Sequence, residues 1–151
     1  VYCALNEQVA DRSWQCSHVG GDRFAANVVI FPYGVYYGRV TPEDTAELVR
    51  RTEAGEVWLE GFRGRSCFPR PAQIAEYFIR RESGLLGLSE FNQFSIDRLD
   101  DQRIRVVLTG TTAVHTVEFR VHREALRGLL TCHSEQPSDI PQYELLRYEA
   151  A

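Results

Sequence analysis

The stretch V-V-I-F-P-Y-G-V-Y-Y-G-R-V-T-P-E-D, Val28 to Asp44, orders the first third of the chain. Val28 to Phe31 is a continuous apolar run, as expected of a strand buried on both faces. Pro32-Tyr33-Gly34 is turn chemistry, and Val35 to Val40 is rich in β-branched and aromatic residues. The two runs therefore predict a tight β-hairpin. T-P-E-D then opens a helix: Thr41 can cap it, Pro42 suits the first helical position, and Asp44 stands where a capping-box acid belongs. Ala46, Leu48 and Val49 supply the apolar side, and Gly55 the stop.

Upstream, Val1, Tyr2, Leu5 and Val9 fall at helical spacing, so residues 1–12 read as the end of a helix. Residues 13–16 suggest a short strand with Trp14 and Cys16 on one face, followed by a loop around Gly20-Gly21. The order is helix, strand, loop, hairpin, helix. It is that of the C-terminal part of a thioredoxin-like fold, assigned to residues 1–55.

From Glu56 the pattern changes, and residues 56–151 read as an α+β extension with an antiparallel sheet. Val57-Trp58-Leu59 suggests a strand, and Gly61 to Ser66 an arginine- and glycine-rich loop. Pro71 starts a helix with the stripe Ile74, Ala75, Phe78 and Ile79, ending near Gly84. Phe94–Leu99, Arg103–Thr109 and Ala113–Val121 read as strands, then a short helix over Glu124–Leu130 and a last strand over Tyr143–Tyr148.

Composition excludes several classes of function. A net charge of −4 argues against general nucleic-acid binding. No apolar run reaches the roughly 18 residues of a membrane span, and the N-terminus lacks a secretory signal, so a cytoplasmic protein is expected. All 17 basic residues are arginine, read as the codon bias of a GC-rich genome or as a surface for planar anion contacts. The chain has no methionine and opens within a helical pattern, so a preceding segment is expected. The four cysteines form no C-x-x-C pair, and at least two are expected to be buried small hydrophobes.

The densest chemistry is C-S-H-V-G-G-D-R-F-A, Cys16 to Ala25, with a thiol, an imidazole and a carboxylate around two glycines. Such a loop suits a metal or cluster, and equally a glycine turn holding one satisfied histidine. Weaker candidates are Cys67 as a thiol at a helix start, Cys132-His133 in a surface loop, and Arg63, Arg65 and Arg70 as an anion patch. His115 and His122 are expected on the polar side of a sheet.

C-S-H-V-G-G-D-R-F-A, Y-Y-G-R-V-T-P-E-D and G-R-S-C-F-P-R-P-A-Q-I-A-E-Y-F together resemble the sucrase/ferredoxin-like family. The resemblance implies a thioredoxin-like ferredoxin fold, a [2Fe-2S] cluster and one-electron transfer to a redox partner protein, a non-catalytic carrier rather than an enzyme. A homodimer is left open. The family's ligands come from an upstream cysteine segment and an H-x-G-G-H motif. His18 stands at the first histidine, Asp22 at the second, and Cys16 is an alternative ligand. The upstream cysteine segment has no counterpart in these 151 residues, so the cluster is expected to be absent from the chain taken alone. The alternative is a cluster-free thioredoxin-like binding module. A thiol enzyme ranks last, for want of a C-x-x-C pair, and no nucleophile, base and acid stand together for hydrolysis.

Overall fold

The computed structural model describes residues 1–131 and 134–151, apart from the side chain of Ala125. The described residues are mixed α/β, with two antiparallel sheets and three α-helices. Helix α1 (Tyr2–Val9) ends in a 3₁₀ turn over Ala10–Arg12, as the apolar spacing predicts. The hairpin forms as β1 (Val28–Ile30) and β2 (Val35–Tyr37), paired Val28 with Tyr37 and Ile30 with Val35. Helix α2 (Thr45–Glu53) follows a turn in which the Asp44 carboxylate accepts from the Thr41 backbone N–H (2.8 Å) and hydroxyl (2.9 Å). At its end Gly55 takes φ +73°, with Gly55 N–H on Thr52 O and Glu56 N–H on Arg51 O. That double bond is the Schellman stop, and it needs a residue at ease with positive φ.

Residues beyond Gly55 complete this first unit. Strand β3 (Phe62–Arg65) pairs antiparallel with β2, giving the order β1-β2-β3. The core beneath gathers Val35, Tyr37, Val40, Leu48, Val57, Trp58, Phe62 and Leu88. Helix α1 packs on α2, where Gln8 donates to the Thr45 hydroxyl at 2.9 Å and Arg12 to Glu53 at 3.0 Å.

Helix α3 (Arg70–Ser83) stops at Gly84, whose φ is +73°. It covers one face of the second sheet: β4 (Phe91–Arg98), β5 (Arg103–Gly110), β6 (Val114–Gly128) and β7 (Ser138–Ala150), paired in chain order. Ala72, Ala75, Phe78 and Ile79 meet Ile104, Val106, Leu108, Val117 and Phe119, the alternating inward residues of β5 and β6.

Several local expectations are corrected. Residues 13–16 form no strand, and Trp14 lies open at 82% exposure. β1 is half-buried rather than buried on both faces, because it is the sheet edge, and Phe31 is exposed in the turn. Val57–Leu59 forms no strand: a single bridge, Glu56 to Gly87, precedes it, and a 3₁₀ turn begins at Leu59. The glycine- and arginine-rich loop is strand β3, since Gly64 (φ +114°) passes against the side chain of Gln73. Glu124–Leu130 forms no helix: β6 continues to Gly128, held by backbone pairing of Leu126–Gly128 with β7.

One buried network joins the two cores. Glu76 and Arg80, both fully buried on α3, pair at 2.8 Å, and Arg65 reaches the same carboxylate at 3.1 Å. Arg80 also donates to Leu85 O and Gly87 O, and Arg65 to Phe91 O. The Arg80 guanidinium lies 5.6 Å from the ring of Phe62, in the first core, and 5.0 Å from that of Phe91, in the second. Burial lowers the basicity of Arg80, and Glu76 opposes that effect.

Candidate functional site

The Cys16–Asp22 loop lies between α1 and the edge strand β1. Gly20 and Gly21 take φ +81° and +75°, which turns the chain into the 3₁₀ segment Asp22–Phe24. A Cβ at Gly21 would lie 2.5 Å from a nitrogen at the far end of the Arg63 side chain, which would have to shift, and the positive φ itself favours glycine there. Asn27 fastens the loop to the sheet: its amide nitrogen donates to Gly21 O (3.1 Å), and its amide oxygen accepts from Arg63 on β3 (2.6 Å).

This frame brings two of the expected ligand residues together. His18 Nδ1 lies 3.2 Å from Asp22 Oδ1, with the imidazole 63% and the carboxylate 19% exposed. An Nδ1–H held by a carboxylate leaves Nε2 as the nitrogen with a free lone pair, the arrangement that orients metal-binding histidines. Cys16 is a free, exposed thiol two residues away in sequence. The expectation of buried cysteines is corrected, because Cys3, Cys16 and Cys67 are all free and exposed. Cys132 and His133 lie outside the described residues.

A [2Fe-2S] cluster takes four protein ligands. Among the described residues no group of three or more His, Cys, Asp and Glu could hold a metal ion. The donors described therefore do not by themselves fit a whole cluster, and the loop offers part of a set.

The other candidates fall elsewhere. Arg65 is buried on Glu76 rather than open to an anion. Cys67 lines a cavity of about 320 Å³ with Tyr33, Phe68, Leu88 and Phe91. His122 does lie on the polar side, 3.0 Å from Glu144. His115 instead is buried at 2% exposure, stacked on Tyr148 with Nδ1 3.0 Å from its hydroxyl, while Nε2 has no partner among the described residues. It points inward because its register neighbours leave it behind Phe91, whose ring it meets edge-on at 5.5 Å. Sequence reading also missed the Glu76–Arg80 pair. The i,i+4 spacing on the flank of the apolar stripe was its one visible signal.

The sucrase/ferredoxin-like family model matches residues 2–64, spanning α1, the Cys16–Asp22 loop and most of the first sheet. Over that segment, less than half of the chain, the sequence is similar to the sucrase/ferredoxin-like family. Over 57 residues it is 42% identical to altered inheritance of mitochondria protein 32 of Meyerozyma guilliermondii, an alignment covering 35% of this chain and 20% of that protein. The chain thus spans about a fifth of the length of the curated relative it matches. No solved structure matches the chain. No helix among the described residues is long and apolar enough to cross a membrane.

Proposed function

We propose that the chain is an electron-transfer module of the [2Fe-2S] ferredoxin type, with residues 1–55 together with strand β3 as the C-terminal part of a thioredoxin-like domain and the α3–β7 segment as an extension packed on it. The observation that carries this reading is the His18–Asp22 pair on a double-glycine turn, inside the segment that matches the family. In this reading His18 is the ligand, through Nε2. Asp22 orients it through Nδ1, and Cys16 is the thiolate within the same loop. The remaining thiolates come from outside these 151 residues. When bound, the cluster would supply one-electron chemistry at a potential raised by imidazole ligation. The loop's own part is to fix the imidazole tautomer and to keep the ligand edge open to solvent and to a redox partner.

Exposed, free cysteines suit a reducing compartment such as the cytoplasm. The contact between His18 and Asp22 also favours a second reading, a cluster-free binding module in which the two residues only brace the loop.

Pulsed EPR on the reduced protein, expressed from its full reading frame with ¹⁵N-labelled histidine, separates the two. A coupled histidine nitrogen that disappears in His18→Ala is expected. A cluster spectrum indifferent to His18→Ala would overturn the assignment.

A further inference from the structure

Most arginines of this chain are ion-paired; among the described residues Arg98 and Arg123 are unpaired beside Asp100 and Asp101, and the other exceptions gather in one place. Arg23, Arg39 and Arg63 surround a single ring, with guanidinium carbons 4.4, 5.6 and 4.2 Å from the centroid of Phe24. All three charges thus lie within 5.6 Å of one point, and none of them forms an ion pair among the described residues. Arg70, at the start of α3, is close enough to lower the basicity of Arg23 and Arg63, although burial is the larger cause for both.

The backbone is shaped to hold this assembly. Arg39 keeps φ +58°, in the left-handed region that non-glycine residues avoid, and its N–H bonds to Phe24 O at 2.6 Å. Gly38 leaves room for the Arg63 stem, since a Cβ there would meet Arg63 Cδ at 2.5 Å. Arg63 spends one bond on Asn27. The guanidiniums of Arg23, Arg39 and Arg70 make no hydrogen bond among the described residues, which leaves most of the planar forks unused.

Like charges this close repel, and two of them, Arg23 and Arg63, are half-buried. Cation–π contact with one phenyl ring contributes only about 0.5–2 kcal/mol per guanidinium. A chain with net charge −4 has acids available to pair them and does not use them here. A single carboxylate would answer one guanidinium. A compact polyvalent oxyanion can accept from several at once, and bidentate guanidinium–phosphate geometry suits it.

We propose that the guanidiniums of Arg23, Arg39 and Arg63 around Phe24, with Arg70 beside them, form a binding site for a phosphate-class oxyanion. The site stands independently of any iron–sulfur chemistry in the neighbouring loop. The anion is either free or the phosphoryl group of a larger molecule.

Isothermal titration calorimetry at constant ionic strength tests it, with inorganic phosphate, pyrophosphate and adenosine diphosphate as probes. Saturable one-site binding of at least one probe is expected, weakened at least tenfold by Arg23→Gln and by Arg63→Gln. Arg147→Gln, on an exposed arginine paired with Glu149, should leave it unchanged. Tighter pyrophosphate binding names a free anion, and tighter adenosine diphosphate binding names a phosphoryl group on a larger molecule. Arg63 also braces Asn27, so Arg23→Gln and Arg39→Gln carry the test if Arg63→Gln fails to fold. Absence of saturation with every probe, or equal affinity in Arg23→Gln, Arg39→Gln and wild type, would overturn the site.

Discussion

Replacing Glu76 with alanine removes the one carboxylate that neutralises two buried guanidiniums. Glu76 and Arg80 are fully buried and Arg65 nearly so, with N–O separations of 2.8 and 3.1 Å. Arg80 keeps the carbonyls of Leu85 and Gly87, and Arg65 that of Phe91, but no carbonyl cancels a charge. Removing one partner of a buried pair costs about 3–5 kcal/mol, because the other charge is left uncompensated. For a chain of this length each kcal/mol lowers Tm by about 2–4 °C, so Glu76→Ala should melt about 6–20 °C below wild type. Glu76→Gln keeps an acceptor oxygen and loses only the charge, so its fall should be smaller. Differential scanning calorimetry at neutral pH measures both. A Glu76→Ala midpoint within about 2 °C of wild type would refute the view that this network holds the two cores together.

Three further outcomes are expected. Gly64→Ala forces a Cβ at φ +114° to within 2.7 Å of Gln73, whose amide ties Arg65 O and Phe68 O, and should cost about 2 kcal/mol or more by urea unfolding. Asp44→Ala removes the carboxylate oxygen that accepts both Thr41 bonds and should cost about 1 kcal/mol in the same assay. Burial lowers the pKa of His115 below its ordinary value, so the unfolded chain takes up that proton first. Its contribution to stability is therefore unchanged at high pH and turns unfavourable as pH falls below about 6.5, the unfolded value. Melting temperature should fall between pH 7 and 5, and less steeply in His115→Gln.

Elements governed by local chemistry were legible in the sequence. The stops at Gly55 and Gly84, the Pro32–Gly34 hairpin and the alternating strands β5 and β6 each follow from residues close together in the chain, whereas the helix expected to be capped by Thr41 begins at Thr45 with Asp44 at its cap. Elements set by distant partners were not. Phe62–Arg65 carries loop composition, and it becomes a strand because β2 offers a pairing edge on one side and Gln73 packs over Gly64 on the other. Glu124–Gly128 has helical spacing, and pairing with Ser138–Ile140 overrides it. At the candidate site, His18 and Asp22 could be named from spacing and family motif. Their contact through Nδ1 depends on the two left-handed glycines and on the Asn27–Arg63 brace, which no local pattern displays. The arginines around Phe24 come from the Asp22–Phe24 turn, the second residue after β2, and strand β3. Only the folded sheet brings them to one ring.

The most direct test of the iron–sulfur reading is iron and acid-labile sulfide content, with the visible absorption spectrum, on anaerobically purified protein. Three samples are compared: the full reading frame, its His18→Ala variant, and the 151-residue chain alone. The account predicts two irons and two sulfides per full-length chain, loss of the cluster in His18→Ala, and no stoichiometric cluster in the short chain. A full complement in the short chain, or one undiminished by His18→Ala, would contradict it.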